Sequence, residues 1–205
     1  MRTPFILAGL FVVAGCATAR LSKGPDVYAV SQHPSGSKVG VAKVVDQRAS
    51  TKAGSIGATS VRVDKDIADM TTNYLIQALD QQMQVNVVPV EASTPAGVAS
   101  IASQRGVDAV VVSQITSVKM YSADAIMQPV STSVDMNTIV YNRDGSEKYR
   151  RSFSGKYDKR IGLTIVDKAT GELVEEAVKD MMAGVGRDPG LKAALQASGS
   201  TKTSN

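Results

Sequence analysis

Tryptophan is absent from this sequence, cysteine and histidine occur once each, and only 4% of the residues are aromatic. A single cysteine excludes an internal disulfide and a thiolate metal cluster. The single histidine, His33, stands beside Pro34 in a turn-rich stretch, so a domain that begins after it holds no Ser-His or Cys-His pair for nucleophilic catalysis. With so few rings to stack on bases and a net charge of only +4, the composition carries no nucleic-acid signature. Long apolar runs are missing too. The longest, Pro4 to Val13, is about half the ~20 residues that a spanning helix needs. No catalytic residue, cofactor or metal set is nominated, and membrane attachment must come from something other than a helix.

What is present begins at the N-terminus. Arg2, the apolar run and the small residues Val13, Ala14 and Gly15 have the three parts of a bacterial export signal over residues 1–15. Val13-Ala14-Gly15-Cys16 resembles the lipobox of bacterial lipoproteins: an aliphatic residue, a small residue, Gly or Ala, then cysteine. The resemblance implies diacylation of the Cys16 thiol, cleavage before it and acylation of the new amino group. The alternatives are a plain secretory signal with a chance cysteine, or a cytosolic protein with Cys16 buried in a first helix. Two or three acyl chains at roughly 0.8 kcal/mol per buried methylene make a lasting anchor in a lipid bilayer. Ala17 stands after the cysteine where enteric lipoproteins retained in the inner membrane carry Asp, so the resemblance points to the periplasmic face of the outer membrane.

Removing the leader leaves enough chain for one domain of ordinary size. Residues 16–37 are small, polar and turn-rich (Gly24-Pro25, Pro34-Ser35-Gly36) and read as a lipidated, flexible tether reaching about 60 Å if extended; His33 reads as a bystander in it. Residues 38–195 read as a single domain and 196–205 as a disordered tail. Lys38 to Val45 is a buried strand and Ile56 to Val63 a second, with a polar loop between them. Asp64 to Met83 has helical period, and Asp64, Asp66 and Asp69 in its first turns suit the helix dipole better than a calcium loop. Val85 to Val90 is a strand. Thr94-Pro95 starts a short helix that Gly106 ends, and Asp108 to Ile115 is the next strand.

The second half changes period. Val130 to Val140 alternates apolar and polar residues, Asn142 to Gly145 is a turn, and the returning strand puts Tyr149, Phe153 and Tyr157 on one side. Lys148, Arg150 and Lys156 project from the other, as a solvated basic face or as a contact for an acidic partner. A helix follows over residues 170–185, with Gly184, Gly186 and Gly190 wrongly placed for a phosphate loop, and Asp188-Pro189 opens a last short turn. The fold class is α/β with α+β character: a mixed sheet of about six strands, two helices in the first half, a long antiparallel hairpin and a C-terminal helix.

The valine strand ending Asp46-Gln47-Arg48, the helix ending Leu75-Ile76-Gln77-Ala78-Leu79, the hairpin and Arg187-Asp188-Pro189-Gly190-Leu191 together resemble the YajG-type family of bacterial lipoproteins. More remotely, the element order is similar to the α/β domains of the TolB amino-terminal region, LpoB and CsgG. The resemblance implies an envelope lipoprotein. The leading expectation is a non-catalytic accessory subunit that binds an envelope protein or glycan. The second is a small-ligand binder using Asp46 and Arg48, where an internal Asp46–Arg48 contact competes with ligand binding. The third is a homo-oligomer built through a sheet edge.

Overall fold

A computed structural model describes residues 16–26, 32–34, 36–91, 94–122, 129–160 and 166–196. The leader, with Val13, Ala14 and Gly15, and the tail from 197 lie outside these residues. The chain forms strands β1 (Cys16–Ala19), β2 (Lys38–Ala42), β3 (Val45–Asp46), β4 (Lys52–Ile56) and β5 (Thr59–Val63). Helix α1 (Ile67–Met83), strand β6 (Asn86–Val90) and helix α2 (Pro95–Arg105) follow. Three long strands come next, β7 (Ala109–Ser122), β8 (Val130–Asn142) and β9 (Glu147–Lys159), and helices α3 (Val166–Gly186) and α4 (Pro189–Gln196) close the fold. Among the described residues it is a mixed α/β architecture on one nine-stranded sheet.

Strand β7 organises the sheet. Its valine run is apolar on both faces because helices cover both, as expected for a central strand. Along one edge it pairs antiparallel with β8, which pairs antiparallel with β9. Along the other edge it is flanked in succession by β2, β3 and β4, all parallel to it. β2 continues outward to β6, and β4 to β5 and then β1, so the sheet branches and curls.

One face of the sheet packs on α1, α3 and α4 in the main core, which includes Leu75, Leu79, Ile115, Met136, Leu173, Met181, Leu191 and Leu195. Each such side chain contributes roughly 1.5–3 kcal/mol of burial. Helix α2 packs on the opposite face through Val98 and Ala102, against Val90, Val110 and Val112. Its ends are those read from the sequence: the Thr94 hydroxyl accepts from Gly97 N–H at 3.2 Å, and Gly106 takes the left-handed cap at φ 60°.

Four expectations are corrected. The stretch 16–37 is not a free tether over its described residues. β1 pairs in parallel with Ser60–Val63, Ala17 and Ala19 are buried, and Leu21 packs against the core. A Cβ on Gly171 would stand 1.9 Å from Arg20 O, so only glycine lets α3 approach the chain leaving β1 so closely. His33 is held as well, its N–H donating to Asn86 Oδ1 at 2.7 Å and its Nε2 lying 3.0 Å from the buried Asp80 carboxylate.

The expected polar loop and second strand are instead the hairpin β4–β5, turning at Gly57 with φ 56°. The expected last turn is helix α4, capped by the Asp188 carboxylate, which accepts from Leu191 N–H at 2.6 Å.

Candidate functional site

Cys16 is the first residue of an edge strand. Its side chain is on the exposed face of β1, outside any disulfide, while Ala17 and Ala19 turn into the core. The period of two in the strand thus presents the sulfur to solvent.

Asp46 and Arg48 form a closed clasp. Arg48 Nε donates to Asp46 Oδ1 at 2.9 Å and Nη2 to Oδ2 at 2.8 Å, a bidentate pair whose side chains are about 5% exposed. Arg48 Nη2 also donates to Val63 O at 2.9 Å, so the clasp ties β3 to the end of β5 across the branch point of the sheet. Burial pushes the Asp46 carboxyl up, but hydrogen bonds from the Arg48 side chain and backbone and the guanidinium charge outweigh it, and the net direction is down. An external anion would have to displace Asp46. The geometry is that of an internal contact, and the anion-binding reading of Arg48 is set aside on it.

Arg150 and Lys156 share one side of β9, Lys148 stands at the irregularity in register between Glu147 and Tyr149, and the three do not converge. Lys148 is half-buried. Arg150 is neutralised by Glu147, with Nη2 to Oε2 at 2.5 Å. Lys156 lies six residues farther along, about 20 Å at the strand rise. Its backbone N–H, on the outer edge of the sheet, donates to Asp180 at 3.0 Å, which blunts that edge against strand addition.

The opposite side of β9 holds a second carboxylate centre. Asp188 accepts from Tyr149 OH at 2.8 Å, from Arg151 and from Leu191 N–H, joining β9 to α4. Burial raises its carboxyl and these donors more than reverse that, leaving it lowered. The Tyr149 hydroxyl is pushed up to about 12, first by burial and then by its bond to Asp188. Asp188→Ala is expected to cost about 2 kcal/mol in urea unfolding, from a lost cap and an orphaned tyrosine hydroxyl. A loss under about 0.5 kcal/mol would show the centre to be incidental.

A groove of about 600 Å³ lies between α1 and α3, lined in part by Gln77, Gln81 and Met182. Tyr74 OH donates to Glu175 at 2.6 Å there, and Lys179 bridges Glu175 and Glu176 at 3.3 and 2.8 Å. Burial and then Glu175 push the Tyr74 hydroxyl up to about 12. Sequence reading missed this groove, because its two walls lie about a hundred residues apart in the chain. No described helix is long and apolar enough to cross a membrane.

No protein-family model matches the chain, and no curated protein matches it. Solved structures do. A neuraminyllactose-binding hemagglutinin homolog from Helicobacter pylori superposes with a TM-score of 0.52 at 10% identity, over 89% of this chain and 99% of that one. The two share a fold. A Xanthomonas campestris protein of the DUF330 family gives a TM-score of 0.49 at 11% identity, over 92% and 99%. The lipoprotein GNA1162 of Neisseria meningitidis gives 0.41 at 13%, over 60% and 83%.

Proposed function

We propose that this chain is a YajG-type lipoprotein of the bacterial envelope, held by acylated Cys16 on the periplasmic face of the outer membrane. Its α/β domain acts as a non-catalytic accessory subunit for the assembly or maintenance of an envelope protein. The observation that carries this reading is Cys16 itself: it follows Val13-Ala14-Gly15 in the sequence, and its side chain is exposed and outside any disulfide at the first residue of strand β1. The non-catalytic part is supported by how the polar groups are used. His33 is bound to Asp80, Asp46 to Arg48, and Asp188 to Tyr149 and Arg151, so each stands in a structural contact.

The alternatives fare less well. A small-ligand site at Arg48 is closed by Asp46, and growth of the sheet at β9 meets the Lys156 N–H already engaged by Asp180. The test is intact-mass analysis of the N-terminal peptide from membrane fractions. It should show an acylated N-terminal Cys16 and no leader, and Cys16→Ala should leave the membrane unmodified or stay an unprocessed precursor. A free thiol at Cys16 in membrane-bound protein would sink the reading. Photo-crosslinkers placed along residues 148–156 then capture the protein partner, and no reproducible adduct in intact cells would remove the accessory role.

A further inference from the structure

The strand register carries one row of side chains across the bare face of the sheet. Cys16 lies opposite Ser60, Ser60 opposite Ser55, Ser55 beside Tyr121, Tyr121 opposite Ser131, and Ser131 opposite Asp158. Two residues along on the same face come Thr18, Arg62 and Lys52, then, past the β4 bulge, Lys119, Ser133 and Lys156. At about 4.8 Å per strand the rows are about 24 Å wide, and they stand about 7 Å apart.

This is the face that α1, α3 and α4 leave open, and α2 covers it only near the start of β7. Lys52, Arg62, Lys119 and Lys156 are all exposed, and none of the four is in an ion pair among the described residues. Asp158 is the one carboxylate in the two rows. Tyr121 is 63% exposed, the largest exposure of any large hydrophobic side chain among the described residues.

We infer that this face seats the domain on an anionic lipid surface. The inference rests on Cys16 being acylated, and gains its force from the missing tether. Because Cys16 is itself a strand residue paired with Ser60, acyl chains on it hold the first row at the bilayer with no slack between lipid and sheet. Four cations then face the headgroup phosphates, and each contributes about fivefold in binding to an anionic membrane. Tyr121 lies at the headgroup level, where an amphipathic ring is favoured. An acidic soluble partner would find the same charges, but the row that begins at the lipid-bearing residue favours the membrane.

The absence of tryptophan supplies the probe. The full chain, purified from membranes of the producing bacterium as the Tyr121→Trp variant, is placed in vesicles of phosphatidylcholine alone or with phosphatidylglycerol added. Two readouts separate anchor from seat: retention after a high-salt wash, and tryptophan emission with quenching by brominated lipid. Retention on both vesicle types, with blue-shifted and quenched emission only when phosphatidylglycerol is present at low salt, is the expected result. Adding Lys52→Ser, Arg62→Ser, Lys119→Ser and Lys156→Ser should return the emission to its water-exposed value without altering the urea midpoint. Each replacement alone should weaken the response about fivefold.

A retained chain whose emission ignores phosphatidylglycerol overturns the seat and spares the anchor. A chain washed off phosphatidylcholine that still responds to phosphatidylglycerol supports the seat and overturns the anchor. Neither retention nor response overturns both.

Discussion

Asp46→Ala is expected to lower unfolding stability by about 3–5 kcal/mol, seen as a fall in the urea midpoint at unchanged slope. Among the described residues the carboxylate is the only charge partner of a guanidinium whose side chain is 5% exposed, and its removal leaves a buried cation between β3 and the end of β5. The pair is not fully compensated even in the native chain, since the buried Arg48 Nη1 has no hydrogen-bond partner among the described residues. Replacing both residues, Asp46→Leu with Arg48→Met, should therefore recover most of the loss, as apolar substitutes for buried pairs often do. If the single variant loses less than about 1 kcal/mol, the clasp does not hold the branch point.

The same residue sets an acid limb. The folded-state carboxyl of Asp46 is lowered relative to its ordinary value, so its contribution is fully present above the unfolded pKa of about 3.9 and is lost as pH falls through the folded one. Asp188 is lowered as well and acts in the same direction. Wild-type stability should fall on acidification below about pH 4, and Asp46→Ala should flatten part of that fall.

Local signals in the sequence placed much of the fold. The helical period of α1, the Thr94-Pro95 start and Gly106 end of α2, and the alternation along β8 all act within a few residues, and the structure has each of them. What sequence reading lost is what cross-strand register creates. Cys16–Ala19 is a strand although Cys-Ala-Thr-Ala carries no strand signal, because Ser60–Val63 offers it an edge and Gly171 lets α3 close over the chain that follows.

The grouping of the basic residues follows the same register. Lys148, Arg150 and Lys156 are neighbours in sequence, yet the structure sets Lys156, across Ser133 of β8, in one row with Lys119, Arg62 and Lys52, and only the sheet's pairing aligns those four. His33 looked idle because Asp80 and Asn86 are about fifty residues away.

Gly155→Ala is expected to be at least as costly as breaking most core contacts, about 3 kcal/mol or more. Gly155 lies on β9 opposite Val134, directly beneath α3. A Cβ there would stand 1.9 Å from Ala177 O, 2.5 Å from Met181 N and 2.7 Å from Met181 Cβ. Two of these atoms are helix backbone, so no rotamer change relieves the clash and α3 must lift. Lifting it also pulls Asp180 from Lys156 N–H, which would leave the edge of β9 open to pairing with another chain. The variant should therefore lose stability and gain concentration-dependent aggregation together. Gly184→Ala is the control on the same helix: a Cβ there meets nothing within 4 Å, and a glycine inside a helix costs about 0.5–1 kcal/mol relative to alanine, so this variant should be slightly more stable. Urea midpoints and light scattering of the two variants, side by side, decide the matter. Equal stabilities would mean that α3 does not rest on β9 at Gly155.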